Sequence, residues 1–362
     1  MRLKFSFIKL IIIYILIFAS FDFFFGNIFL NLLYEKNYLI NHEKQLKAVQ
    51  ENEKKFRIKN DYFHHTLKKN INTFAQWGPF KYSICTDEYG FRDICDNRIK
   101  HKDNIILIGD SFTEGIGLEY EKTFAGMMTK NWKINVKNLA VVSYSPIIYK
   151  NKIKFYLEKG IKTSHVIVFL DISDIDDENN YFHCGENNSV CAKSDNLEYK
   201  ELKVEKQNEN FPLYKEIKKI FKKTKRKFFP KKHIYEKDFK RSSWTYIEND
   251  KIIEEGINKS LSNMNELYEY LKKKKISLSI AVYPWPGQIL HDKKNSKQVK
   301  IWRKFCDEKC TNFINLFPLF YEEIPNRDRM EIIDQYYLKN DVHFNESGHT
   351  KIFNKLNSFN FY

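Results

Sequence analysis

Two short motifs, far apart in the chain, hold residue types that can perform acyl transfer together. Gly109-Asp110-Ser111 follows the apolar run Asn104 to Ile108 and precedes a helix-permissive stretch. From that position a side chain projects above the carboxyl edge of a parallel sheet. A serine hydroxyl there attacks an ester if a base takes its proton. Asp341 and His343, in DVHFNESGHTKIFNKL, offer an imidazole and a carboxylate to hold its tautomer and stabilise the imidazolium. Each motif alone is a weak signal, since Gly-Asp-Ser also occurs as a helix-capping turn and Asp-x-His as a surface loop. Their order strengthens both: the serine follows the first apolar strand of the body and the Asp/His loop follows the last. No G-x-S-x-G elbow surrounds Ser111.

Short β-branched runs alternating with longer amphipathic stretches predict βαβ units and a parallel sheet covered on both faces. Five strands are expected: Asn104 to Gly109, Ile134 to Val141, His165 to Asp171, Ser277 to Tyr283 and Asn312 to Phe317. Helical patterns lie at about Lys122 to Asn131, Pro146 to Lys159, Ile252 to Lys275, Ser296 to Asp307 and Glu346 to Leu356. The polar interval at about 179–250 breaks this rhythm and is longer than an ordinary βα connection, so it reads as an insertion over the strand ends.

With these residues in place, the chain resembles the SGNH/GDSL superfamily of serine esterases and acyltransferases. GDSFTEG (Gly109 to Gly115) matches its first block and DVHFNESGH (Asp341 to His349) its last. TDEYGFRD (Thr86 to Asp93) is similar to the lead-in of exported members associated with surface polysaccharide. The resemblance spans about Thr86 to Leu356 without the insertion. It implies a three-layer, flavodoxin-like α/β fold with a five-stranded parallel sheet, with Ser111 as nucleophile, His343 as base and Asp341 as its orienter. It also implies an oxyanion hole from the Ser111 and Ser143 N–H groups. Ser143 stands where the second block has glycine, and Ser173 where the third has an asparagine donor, so the Ser173 hydroxyl is the expected third donor.

Four further residues are expected at the substrate: Asp110, Asp174, Trp285 and Arg241. Trp285, in YPWP after the fourth strand, either stacks on a sugar ring or packs on the core; aromatic faces suit both. The acidic run Asp171, Asp174, Asp176, Asp177 and Glu178 fits helix capping or a polar cleft, and no EF-hand pattern accompanies it. No cofactor or metal is expected.

The chain has 362 residues, and 43% hydrophobic content suffices for a large core. Arg2, Lys4 and Lys9 precede an apolar run that continues, interrupted by Asp22, to Tyr34. This reads as a signal-anchor segment over 1–34, with a cleaved signal peptide as the alternative, and places the body outside the cytoplasm. Residues 35–85 read as stalk and lead-in, and 86–362 as the hydrolase-like domain. Six cysteines, Cys85, Cys95, Cys184, Cys191, Cys306 and Cys310, suit disulfides in an oxidising compartment, with fifteen connectivities open.

Of the formal charge of +15, about +10 lies between Lys215 and Arg241. No nucleic-acid-binding signature accompanies it, so nucleic acid is not an expected partner. An anionic polysaccharide or lipid headgroup suits such charge; a solvated amphipathic helix with Ile217, Ile220 and Phe221 as its stripe is the plainer alternative. Three functions compete. The first is an esterase acting on O-acyl, in particular O-acetyl, groups of an extracytoplasmic glycan. The second is a polysaccharide O-acetyltransferase using the same triad. The third is a catalytically silent, membrane-tethered glycan-binding or assembly protein, suggested by the departure at Ser173 and the basic insertion. The sequence leaves the oligomeric state open.

Overall fold

A computed structural model describes residues 9–26, 28, 53–95, 101, 104–185, 189–193, 211, 213–214, 217–218, 241, 243–247 and 251–361. The chain divides into two units, Met1–Glu51 with Leu197–Ile234, and Asn52–Asn196 with Tyr235–Tyr362. In the first, Lys9–Gly26 is a helix of mean hydropathy 2.0, long and apolar enough to cross a membrane. Its one acid, Asp22, is buried and accepts the N–H groups of Leu213 and Tyr214 at 2.7 and 2.8 Å. A carboxylate within an apolar segment needs such donors to offset desolvation. Arg2, Lys4, the expected stalk up to Asn52 and most of the basic run lie outside the described residues.

The second unit carries both the Gly109–Ser111 and the Asp341–His343 motifs. Its strands are β1 (Arg57–Asn60), β2 (His64–Leu67), β3 (Asn72–Trp77), β4 (Phe80–Thr86), β5 (Arg92–Asp93), β6 (Asn104–Ile108), β7 (Asn135–Asn138), β8 (His165–Leu170), β9 (Tyr181–Cys184), β10 (Ser189–Ala192), β11 (Ser277–Val282) and β12 (Asn312–Asn315). The main sheet runs β12-β11-β8-β6-β7-β5-β4-β3. From β12 to β7 all neighbours are parallel, so the five expected strands form the expected five-stranded parallel block in the flavodoxin-like order. All of β8 is buried, as befits a central strand covered on both faces. Helix Phe124–Asn131 packs on Glu346–Leu356, and Pro146–Glu158 on Lys251–Lys273. The helix Glu346–Leu356 begins where the sequence places it, capped by Asn345, whose Oδ1 accepts the Gly348 N–H at 3.1 Å.

The reading of 35–85 as stalk and lead-in needs correcting from Arg57 onward. β3, β4 and β5 extend the sheet in antiparallel fashion past β7, turning at Gly78, and β1 and β2 form a separate antiparallel hairpin. Phe56, Phe63, Leu67, Ala75, Tyr82 and Ile84 enter the common core. The disulfides are Cys85–Cys95, Cys184–Cys191 and Cys306–Cys310, each joining near neighbours in sequence.

Candidate active site

Ser111 opens a one-turn helix, Ser111–Glu114, directly above β6. Gly109 makes the turn possible: a Cβ there would lie 2.4 Å from Thr113 Oγ1 and 2.9 Å from the Phe169 carbonyl. Asp110 caps the helix, its Oδ1 accepting the Phe112 N–H at 3.1 Å. The far end is tied by Arg92 of the TDEYGFRD segment. Its buried guanidinium donates to the carbonyls of Glu114 (2.7 Å), Gly115 and Leu118 (2.6 Å), satisfying groups that a helix terminus leaves open. Arg92 thus holds the serine turn rather than a substrate.

The loop after helix Arg329–Tyr336 brings His343 to the serine. It is pinned by Leu338 N–H to the His343 carbonyl (2.8 Å) and Asn345 N–H to the Tyr336 carbonyl (3.0 Å). His343 Nε2 lies 2.8 Å from Ser111 Oγ, and His343 Nδ1 is hydrogen-bonded to Asp341 Oδ1. Both Ser111 and His343 are buried. The Phe112 ring lies 4.6 Å from the imidazole, centroid to centroid. Sequence reasoning missed the next member of the chain. Trp77, from β3, donates its indole N–H to Asp341 Oδ2 at 2.9 Å and sets its ring edge-on to His343. Burial raises the Asp341 pKa, but the His343 ring and backbone donors and the Trp77 donor outweigh it and hold the carboxyl down at about 2.

Ser143 has φ +59°, a left-handed conformation that suits the glycine expected at this position. The preceding Val142 N–H donates to Glu114 Oε2 at 2.7 Å. Glu114, fully buried, is gripped by the two terminal guanidinium nitrogens of Arg57 at 3.0 and 2.9 Å. Ser173 requires a correction. Its single hydroxyl proton is donated to Asp171 Oδ1 at 2.8 Å, and the same oxygen accepts the Ser173 and Asp174 N–H groups at 2.6 and 3.2 Å. The expected third oxyanion donor is therefore engaged in its own turn.

Two of the expected substrate contacts are also corrected. Asp174 is fully buried, accepting from the Tyr149 hydroxyl (2.7 Å) and Asp171 N–H (2.9 Å). Trp285 is 3% exposed and donates to Asp171 Oδ2 at 2.8 Å, so its packing role holds and its ring offers no sugar platform. Asp110 touches the serine, its Oδ2 3.2 Å from Ser111 Oγ, and also accepts from the Tyr283 hydroxyl at 3.2 Å. Burial, and then the charge of Asp171, push the Asp110 carboxyl well above the ordinary range. Arg241 stays partly open above Trp285, 5.7 Å from the ring, paired with Asp177 at 2.9 Å and Asp176 at 3.8 Å. Asp177 is pushed up to about 7 by burial, against the lowering effect of Arg241.

No family model and no curated protein matches the chain. Among solved structures it is similar to the psychrotrophic esterase EstA from Pseudoalteromonas sp., at 12% identity over 71% of this chain and 96% of that one, with a TM-score of 0.38. A member of the lipolytic protein G-D-S-L family from Veillonella parvula matches at 15% identity, over 70% and 96%, with a TM-score of 0.36. The acetylxylan esterase Axe2 from Geobacillus stearothermophilus matches at 10% identity, over 73% and 97%, with a TM-score of 0.39. By their descriptions, these three are an esterase, a member of the lipolytic protein G-D-S-L family and an acetylxylan esterase.

Proposed function

We propose that this protein is a serine ester hydrolase that removes O-acyl, in particular O-acetyl, groups from an extracytoplasmic glycan. The observation that carries the reading is the continuous chain Ser111 Oγ, His343 Nε2, His343 Nδ1, Asp341 Oδ1. Ser111 Oγ attacks the ester carbonyl while His343 Nε2 takes its proton, and Asp341 stabilises the imidazolium. The tetrahedral oxyanion is met by the Ser111 and Ser143 N–H groups. Collapse breaks the ester C–O bond, and the leaving sugar oxygen takes the proton back from His343. Water, deprotonated by the same imidazole, then attacks the acyl-serine and releases acetate.

The glycan assignment rests on the resemblance of TDEYGFRD to its counterpart in exported polysaccharide-associated proteins. The compartment rests on the apolar helix Lys9–Gly26 and on three disulfides, which persist where the medium is oxidising. In this reading 1–34 anchors the chain in the cell membrane and the catalytic body, starting near Asn52, faces away from the cytoplasm. Asp110, beside the serine, and Arg241 are the remaining substrate-contact candidates.

Acetate release from an O-acetylated polysaccharide by the full chain in detergent tests the proposal. Release that disappears in folded Ser111→Ala supports it, and unchanged release in that variant overturns it. Adding a deacetylated acceptor separates hydrolysis from transfer: the hydrolase yields free acetate whether or not acceptor is present, whereas the O-acetyltransferase moves the acetyl group to the acceptor.

A further inference from the structure

The proposed reaction needs the Ser143 N–H aimed at the oxyanion, and no member of the triad holds that peptide. The loop after β7, tied at the Val142 N–H to Glu114, is held at its next two carbonyls by groups outside the parallel block. The Val142 carbonyl accepts a hydrogen bond from His65 Nε2 of β2 at 2.8 Å, and the Ser143 carbonyl accepts one from the Tyr181 hydroxyl at 2.9 Å. The Ser143 N–H has no partner among the described residues. All peptides here are trans. In a trans peptide the C=O of one residue and the N–H of the next point in opposite directions within one plane. A bond that fixes Val142 O therefore also fixes the direction of the Ser143 N–H. The positive φ of Ser143 makes this hold necessary, because a non-glycine residue adopts that conformation only where its surroundings impose it.

The His65 side chain is arranged as a fixed donor. Burial above all, opposed by the Val142 contact, lowers its pKa to about 3, so the ring is neutral. A neutral imidazole has one N–H, and the Val142 carbonyl requires it on Nε2. Nδ1 is then an acceptor, 2.7 Å from His64 Nδ1, which carries the matching proton. Tyr144 locks the backbone beneath: its hydroxyl donates to the His65 carbonyl and accepts from Lys152 Nζ at 2.9 Å.

We infer that His65 is a positioning residue for acyl transfer, aiming the Ser143 N–H at the oxyanion through its bond to the Val142 carbonyl. The inference rests on the proposed acyl-transfer reading. Because the oxyanion exists only at and after the transition state, a misaimed donor lowers kcat and leaves KM nearly unchanged. Loss of one oxyanion donor costs about 10²–10³ in rate, and misaiming it should cost about 10–100-fold.

The test uses the full chain in detergent with p-nitrophenyl acetate and a fluorophosphonate probe. His65→Met removes the donor at similar length; His65→Gln retains an N–H on a side chain of the same reach. The expected result is a kcat loss of about 10–100-fold in His65→Met with KM within about threefold, and recovery of most of that loss in His65→Gln. A folded His65→Met with wild-type kcat, or a His65→Gln as impaired as His65→Met, overturns it. If His65→Met does not fold, Tyr144→Phe releases the His65 backbone while keeping the imidazole. A lower kcat at constant KM then supports the inference, and an unchanged kcat overturns it. A wild type that neither labels nor turns over ester fails the acyl-transfer reading itself. A wild type that labels, beside a His65→Met that labels equally fast, fails only the inference.

Discussion

Two aspartates flank the Ser111–His343 pair, and their surroundings push them in opposite directions. Asp341 accepts hydrogen bonds from the His343 ring N–H, the His343 backbone N–H at 3.0 Å and the Trp77 indole N–H at 2.9 Å, and is held down at about 2. Asp110 also accepts hydrogen bonds, from Phe112 N–H and the Tyr283 hydroxyl, yet it is pushed well above the carboxylate range. Donors alone do not explain the difference. Asp110 is more deeply buried and faces the carboxyl of Asp171, so its ionised form suffers both desolvation and like-charge repulsion. One side of the serine thus favours the carboxylate charge that stabilises an imidazolium, and the other disfavours it.

The largest break in this contrast is Asp341→Asn. The amide can present its N–H to His343 Nδ1 and select the wrong tautomer, so kcat should fall by about 10³–10⁴ with the fold retained. Steady-state ester hydrolysis checks it, and a loss below tenfold would remove Asp341 from the mechanism. A smaller loss, about tenfold, is expected for Trp77→Phe, which deletes one donor to an ionised group and keeps the ring against His343.

That variant also has a pH signature. The folded pKa of Asp341 is depressed, so its contribution to stability is present above the ordinary carboxylate range and is lost as pH falls through about 2. The stability gap between wild type and Trp77→Phe, followed by thermal melting, should be constant above about pH 5 and narrow below about pH 4. A gap that widens on acidification contradicts the assignment.

Asp110→Asn should change least, with kcat within about threefold, because the amide oxygen still accepts from Phe112 and Tyr283 without the charge that burial and Asp171 disfavour. Its stability runs the other way. A raised folded pKa gives wild type an advantage at low pH that is lost as pH rises toward the folded value, so Asp110→Asn should gain on wild type as pH rises above the ordinary carboxylate range. Melting temperatures across that range measure the gain, and a steady loss instead would show that Asp110 is ionised.

The same contrast marks what the amino-acid sequence discloses. The parallel strands were legible because each is a β-branched run between turn signals, and Ser111, His343 and Asp341 because their motifs sit at strand ends. Trp77 was not, since β3 is short and its partner Asp341 lies 264 residues away. His65 and Arg57 sit in four-residue strands rich in charged and polar residues that read as stalk, and only tertiary packing reveals their role. The hydroxyl direction of Ser173 and the placing of the Asp174 N–H and the Trp285 indole depend on the side chain of Asp171, whose two oxygens accept from all three. Residue type at a strand end signals the neighbourhood of chemistry; which groups point into it is decided by how the loops satisfy one another's polar atoms.

The most direct test of the central claim is covalent labelling of the full chain by a fluorophosphonate, which reports an activated serine without a chosen substrate. Wild type should label at a single site, and labelling should disappear in both Ser111→Ala and His343→Ala. Labelling that survives in folded Ser111→Ala, or no labelling of folded wild type, would contradict the claim that Ser111 and His343 form a working nucleophile and base.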